Sequence, residues 1–169
     1  MANFVPIAGP IVGTSVYVNN KIVARDCART LPEVTPVLVD VPATGTISLP
    51  CWQLIENMES AVTKIGIDLG LRALVTPDPM TLETRWVQTV TDANSVTKTV
   101  GCKSFERVIP VVLPGLALTV GEQSENEIRG TTVRYQVFVD GVEMWCIDKI
   151  AGIVRIAGKD YAAGVNSLL

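Results

Sequence analysis

Apolar and polar positions alternate along much of this chain with a period of two. Between Thr131 and Val139, the residues Val133, Tyr135, Val137 and Val139 share one face, as in a half-buried strand. Asp140-Gly141 then supplies a dipeptide suited to the positive φ angles of a two-residue turn, and Val142 to Ile147 is apolar again. That sequence predicts an antiparallel hairpin. Ser15 to Val18 and Lys21 to Arg25 flank Asn19-Asn20 in the same manner, and residues 82 to 92 and 95 to 109 flank Ala93-Asn94. Val96, Thr97, Lys98, Thr99 and Val100 favour extended structure. Three hairpins, with no regular alternation of strands and long helices, argue for a mainly β, antiparallel architecture rather than a parallel α/β fold.

One segment departs from this pattern. Leu54, Ile55, Met58, Ala61, Val62 and Ile65 recur at helical spacing between Pro50 and Gly66, and local periodicity favours a helix there. Further turns of helix are expected near Leu69 to Val75 and after Asp160. Val41 to Leu54 is uncharged and contains Pro42, Gly45 and Pro50, so it reads as a long loop, as does Pro110 to Asn126. Loops longer than about 12 residues are usually functional or disordered. Ser124 to Glu127 has capping-box spacing, but Gly130 follows closely and a solvated turn is expected.

Composition narrows the function. The 169 residues suit a single domain, 1–169. Lys and Arg total 14 against 17 Asp and Glu, for a net charge of −3, so the broad positive field behind non-specific nucleic-acid binding is missing. With no histidine, a Ser-His-Asp triad, a Cys-His dyad, a His-ligated zinc site and an imidazole pH switch are all excluded. Cys27, Cys51, Cys102 and Cys146 form no C-x-x-C pair and are expected to be reduced thiols. The first charged residue is Lys21, so the basic start of a secretory signal is not expected. Hydrophobic residues make up 48% and charged ones 18%, where about 25% charged is ordinary. The uncharged run Val108 to Gly121 is too short, and too broken by Pro110, Pro114 and Gly115, to span a membrane. Extensive burial against other protein is the simplest account of the apolar excess.

Chemical motifs add little. Ser95 and Lys98 have S-x-x-K spacing but lie on a predicted strand, without S-D-N or K-T-G. Asp92-Ala93-Asn94 begins like a calcium loop but lacks its glycine and final glutamate. No G-x-G-x-x-G, P-loop or N-x-[ST] sequon occurs. Trp52, Trp86 and Trp145 are scattered and suit core or interface positions. No catalytic residue, metal site or cofactor is expected, and the chain does not read as an enzyme.

A set of short elements in a fixed order resembles the major tail tube protein of contractile-tailed bacteriophages. They are Val16-Tyr17-Val18 with its tight turn, Thr30-Leu31-Pro32-Glu33-Val34-Thr35, the strand Val133 to Val139 with Asp140-Gly141 and Val142 to Cys146, then Val154-Arg155-Ile156-Ala157-Gly158-Lys159-Asp160 and a tail ending Leu168-Leu169. The resemblance implies two packed antiparallel sheets, sandwich- or barrel-like, with one short helix. Six copies would form a ring, and rings would stack into a tube that conducts DNA to the host. It makes Glu59 to Gly66 a strand, against the local periodicity. It makes the segment at about 39–54 an inter-ring loop, with Val41, Pro42, Ala43, Thr44, Gly45, Thr46 and Ile47 as contacts. It makes the tail at about 160–169 an inter-subunit element, with Asp160, Tyr161, Leu168 and Leu169 as contacts. Implied partners are further copies of the chain, a tail sheath protein, a tape measure protein, baseplate and tail terminator proteins, and phage DNA in transit. The implied location is the virion tail, after assembly in the host cytoplasm. The tube of a phage-tail-like bacteriocin or secretion system is the alternative. A small β-sandwich binding module is more distant, since such modules expose aromatics in a row.

Overall fold

The computed structural model describes residues 6–168. In chain order these form β1 (Ile7–Val18), β2 (Lys21–Arg25), β3 (Ala28–Thr30), β4 (Pro36–Ala43), β5 (Gly45–Ile55), β6 (Met58–Ile65), α1 (Leu69–Leu74), β7 (Met80–Thr91), β8 (Thr97–Val112), β9 (Glu125–Val139), β10 (Val142–Asp148), β11 (Ile153–Ile156), β12 (Lys159–Asp160) and α2 (Ala163–Asn166).

The three predicted hairpins are present. Asn19 and Asn20 (φ 47° and 66°) join β1 to β2, and Asp140 and Gly141 (φ 50° and 79°) join β9 to β10, as two-residue turns matched to strand twist require. Between β7 and β8 the turn is held by Asp92, whose Oδ1 accepts from the backbone N–H groups of Asn94 (2.9 Å) and Val96 (3.0 Å). The left-handed residue there is Ser95 (φ 60°) rather than Asn94.

Ten strands make one antiparallel sheet, ordered β12-β11-β10-β9-β8-β7-β1-β2, with β6 and β3 branching from β9. β9 is the branch point because it outruns either neighbour on its second edge. Its first half pairs with β6, from Ile65↔Glu125 to Met58↔Thr132, and its second half with β10, from Asp148↔Arg134 to Val142↔Val139. Only Asp26 and Cys27 separate β2 from β3, so the two ends of the β2-to-β3 path are drawn together and the sheet curls towards closure. Val16, Val18, Ala24, Val62, Leu82, Val108 and Ile128 fill this curl, with Leu71 and Leu74 of α1 packed into it. A second cluster, including Met58, Tyr135, Val137, Ile147 and Val154, lies beneath β10 and β11.

A bulge links the two cores. Arg107 pairs with Arg134, but Val108 pairs with Thr132, so Val133 is the extra residue on β9. Because side chains alternate with a period of two, one inserted residue exchanges the faces. The buried set accordingly passes from Asn126, Ile128 and Thr132 to Tyr135 and Val137. Val133 leaves the buried stripe that simple alternation assigns to it and is only half-buried.

Several expectations are corrected. Val41 to Leu54 is not a loop: β4 and β5 pair along their length and form a separate two-stranded sheet. Of Pro110 to Asn126, only residues 113–124 lie outside strands. Glu125 to Glu127 opens β9 instead of forming a solvated turn, and Asn126 is fully buried, donating to the Gly66 carbonyl at 3.0 Å. The helical spacing at Leu54 to Ile65 yields to strand, as the family resemblance implies. β6 lies between β3 and β9, and its Met58, Ser60, Val62 and Lys64 face inward. Tertiary pairing outweighs a local periodicity of this size. The turns of helix expected near Leu69 to Val75 and after Asp160 are α1 and the single-turn α2, where the family resemblance implies one short helix.

Candidate assembly surfaces

The residues 41–47 surround the tip of the β4–β5 hairpin, where Val41 pairs with Ile47, Pro42 with Thr46 and Ala43 with Gly45 around Thr44. Gly45 has φ 138°, a backbone shape that a side chain disfavours. Both faces of the hairpin are exposed from Leu38 to Pro50, including Leu38, Val39, Val41, Ile47 and Leu49. An isolated two-stranded hairpin is marginal in water, and a run of uncovered aliphatic side chains marks an interaction surface. The hairpin lacks charge from Val41 to Ile55. Nearer its base, Asp40 accepts from the Ser48 hydroxyl at 2.5 Å.

The base is anchored where the tip is not. Trp52, Val34, Trp145 and Ile156 line one cavity. Gln53, Leu54 and Ile55 line another with Ile147, Asp148 and Lys149. Lys149 Nζ donates to the Glu56 carbonyl at 2.8 Å. The hairpin therefore runs alongside β10, from its Asp148 end towards Trp145, before leaving the body.

The C-terminal candidates do not cluster with the tip. Asp160 pairs with Arg155 across β11–β12 and accepts from the Ala162 N–H at 2.9 Å. Tyr161 is partly exposed beneath Lys159 Nζ, 4.9 Å from the ring centroid. Leu168 is 88% exposed, and Leu169 lies outside the described residues.

Sequence reasoning missed a third apolar surface. Residues 109–120 expose Ile109, Val111, Leu113, Leu116, Leu118 and Val120, beside the exposed Ile65, Ile67 and Leu69. The absence of charge from Val108 to Gly121 was the available signal.

The body behind these surfaces is stiffened by a buried ion pair. Arg29 Nη2 meets Glu106 Oε2 at 2.6 Å, with both side chains almost fully buried. Arg29 also donates to the Ala61 carbonyl (2.6 Å) and Thr84 Oγ1 (3.2 Å). Burial, with the Glu106 carboxylate opposite, pushes the Tyr135 phenol well above its usual range. Burial likewise raises the Cys27, Cys102 and Cys146 thiols, which makes them poor nucleophiles. All four cysteines are unpaired. Among the described residues no cluster of potential ligands could hold a metal ion, and no helix is long and apolar enough to cross a membrane.

On the solvent face of the main sheet, basic residues are interleaved with acids. Arg85 meets Glu83 at 2.6 Å, Arg155 meets Glu143 at 2.5 Å and Arg134 meets Asp148 at 4.0 Å. Lys103 Nζ lies over the Phe105 and Phe138 rings at 5.7 and 5.6 Å.

The whole chain exposes 10863 Å², where surface scaling gives about 8,100 Å² for a compact monomer of this mass. That excess of surface, with the uncovered aliphatic side chains described above, fits a subunit completed by its neighbours.

Known proteins agree. No curated protein matches the chain. The fold is similar to a chain of the extracellular contractile injection system PVC sheath-tube complex in the extended state (TM-score 0.52, 11% identity, 77% of this chain and 90% of that one). It is also similar to a chain of the PVC sheath/tube terminator in the extended state (TM-score 0.53, 11% identity, 81% and 99%). At that identity the likeness concerns fold alone. The sequence profile of the phage tail tube protein FII family matches residues 10–169. The chain therefore belongs to the phage tail tube protein FII family and is a structural component of a contractile tail tube.

Proposed function

We propose that six copies close into a ring, that rings stack into the inner tube of a contractile tail, and that the tube conducts DNA into the host. The observation that carries this reading is the β4–β5 hairpin, where Val39, Val41, Ile47 and Leu49 share one face and, between Leu38 and Pro50, are covered by nothing in their own subunit. Stacked copies bury it, with Val41 to Ile47 as inter-ring contacts. The C-terminal segment, with Asp160, Tyr161, Leu168 and Leu169, contacts neighbouring subunits. A sheath surrounds the tube, terminator and baseplate proteins close its ends, and a tape measure protein and then DNA occupy its lumen. The two similar structures, a sheath-tube complex and a sheath/tube terminator, support the first two of these partners.

Negative-stain electron microscopy of the purified protein tests the reading. Hollow rings or tubes are expected; particles that remain monomeric at high concentration would overturn it.

A second reading, the tube of a phage-tail-like bacteriocin or secretion system, is favoured by the injection-system origin of both similar structures. Gene neighbourhood separates the two, since terminase and capsid genes beside this one indicate a phage.

A further inference from the structure

The chain has two uncharged runs, Val41 to Ile55 and Val108 to Gly121, and the tip of the first and the coil that ends the second, residues 113–121, lie at opposite ends of the subunit. β6 gives the direction. The chain enters it at Met58 from the hairpin and leaves at Ile65, where the Gly66 N–H donates to the Ser124 carbonyl at 2.8 Å. The end of segment 113–124 therefore lies at the exit of β6, about 23 Å from its entry at about 3.3 Å per residue. The hairpin does not fold back over that distance. Its base passes from Asp148 towards Trp145, which is the direction in which β9 runs from Arg134 towards Val139. Beyond the Leu38↔Pro50 pair it continues for six residues to Thr44, a reach of about 20 Å.

At the far end, α1 and the coil after β8 enclose a cavity of about 370 Å³ lined chiefly by Ile67, Leu71, Val75, Leu113, Pro114 and Leu116. Beside it Leu118 is 79% exposed and Val120 fully so. Resting on the stacked-tube reading above, we infer that this cavity and its apolar rim receive the hairpin tip of another copy of the same chain. Two arguments select a second copy as the occupant. The subunit's surface, 10863 Å², exceeds that of a compact monomer, about 8,100 Å², by more than the roughly 1,000–2,500 Å² that each partner gives to one obligate interface. In addition, a projecting tip and a receptive hollow at opposite ends form a heterologous pair, which repeats in one direction without self-closing. An isologous contact of tip with tip stops at two.

The test places cysteines at the two surfaces, Ile47→Cys and Leu116→Cys, in a Cys51→Ser background; the other native thiols are buried. After assembly and mild oxidation, the doubly substituted chain gives a ladder of covalent multimers. The two single variants mixed give cross-linked dimers, and neither alone gives any. Dimers from Ile47→Cys alone mean tip-to-tip contact and overturn the inference. Tubes visible by microscopy that do not cross-link overturn this acceptor while leaving the tube reading intact. Failure of the unsubstituted protein to form any assembly overturns both.

If the cysteines disturb assembly, aspartates serve instead. Leu116→Asp blocks growth as Val41→Asp/Ile47→Asp does, and mixing the two restores a single contact, so assemblies stop at two stacked units. Normal growth of Leu116→Asp alone, or no pairing in the mixture, overturns the inference.

Discussion

Arg29 lies in a three-residue strand whose sequence says nothing of Glu106, far along the chain, yet the two side chains meet at 2.6 Å between the cores. Breaking a buried pair costs about 3–5 kcal/mol because the remaining charge keeps its desolvation penalty. Arg29→Met should therefore lower the urea midpoint steeply, whereas Arg29→Met/Glu106→Met should recover part of the loss; a double variant as unstable as the sum of the two singles would show that the charges are not coupled. Acid acts elsewhere. Lys64 donates to Asp68 Oδ2 at 2.8 Å while Asp68 Oδ1 caps α1, and this holds the Asp68 carboxyl below the usual carboxylate range. Arg155 does the same for Glu143. A lowered folded-state pKa gives stability that is present above the unfolded value and lost as pH falls through the folded one. Urea midpoints should thus be flat near neutrality and fall below about pH 4.3, with a shallower fall in Asp68→Asn; an unchanged slope in that variant would count against the capping pair. Neither arrangement is legible locally, because the partners come from different strands or depend on where a chain turns.

At the scale of the element, the β4–β5 hairpin keeps its backbone paired within itself and its side chains uncovered. Val41→Asp/Ile47→Asp should leave the circular dichroism of the subunit nearly unchanged and abolish tube growth, since a charge without a partner at a buried interface costs several kcal/mol. Normal tubes would refute the inter-ring role. The alternation Thr46-Ile47-Ser48-Leu49 was present in the sequence, but no buried face accompanies it, so the prolines and glycine dominate and suggest a loop. β6 is the converse case. Its apolar residues satisfy a helix as well as a strand, and only β3 and β9 on its two edges decide between them. The turns were readable because Asn19-Asn20 and Asp140-Gly141 carry their conformation in their own residue types.

For the whole molecule, a conduit must pass a polyanion without holding it. The subunit carries a net charge of −3, and three of the basic residues on the main sheet's solvent face are paired with acids. Purified tubes should accordingly bind duplex DNA weakly at about 50 mM salt and change little by about 200 mM, whereas several unneutralised phosphate contacts would cost orders of magnitude in affinity over that range. Tight binding with a steep salt slope would contradict a neutral lumen. By itself the sequence determined the antiparallel β class, the three hairpins, the missing histidine chemistry and an apolar excess that calls for protein partners, because turn residues, period-two patterning and composition act locally or sum over the chain. Only the tertiary structure decided that β9 is shared by β6 and β10, that a bulge at Val133 exchanges its faces, that Arg29 reaches Glu106, and that two uncharged segments project from opposite ends. Each of these depends on which distant strands pair and in what register, and no short stretch of residues encodes that.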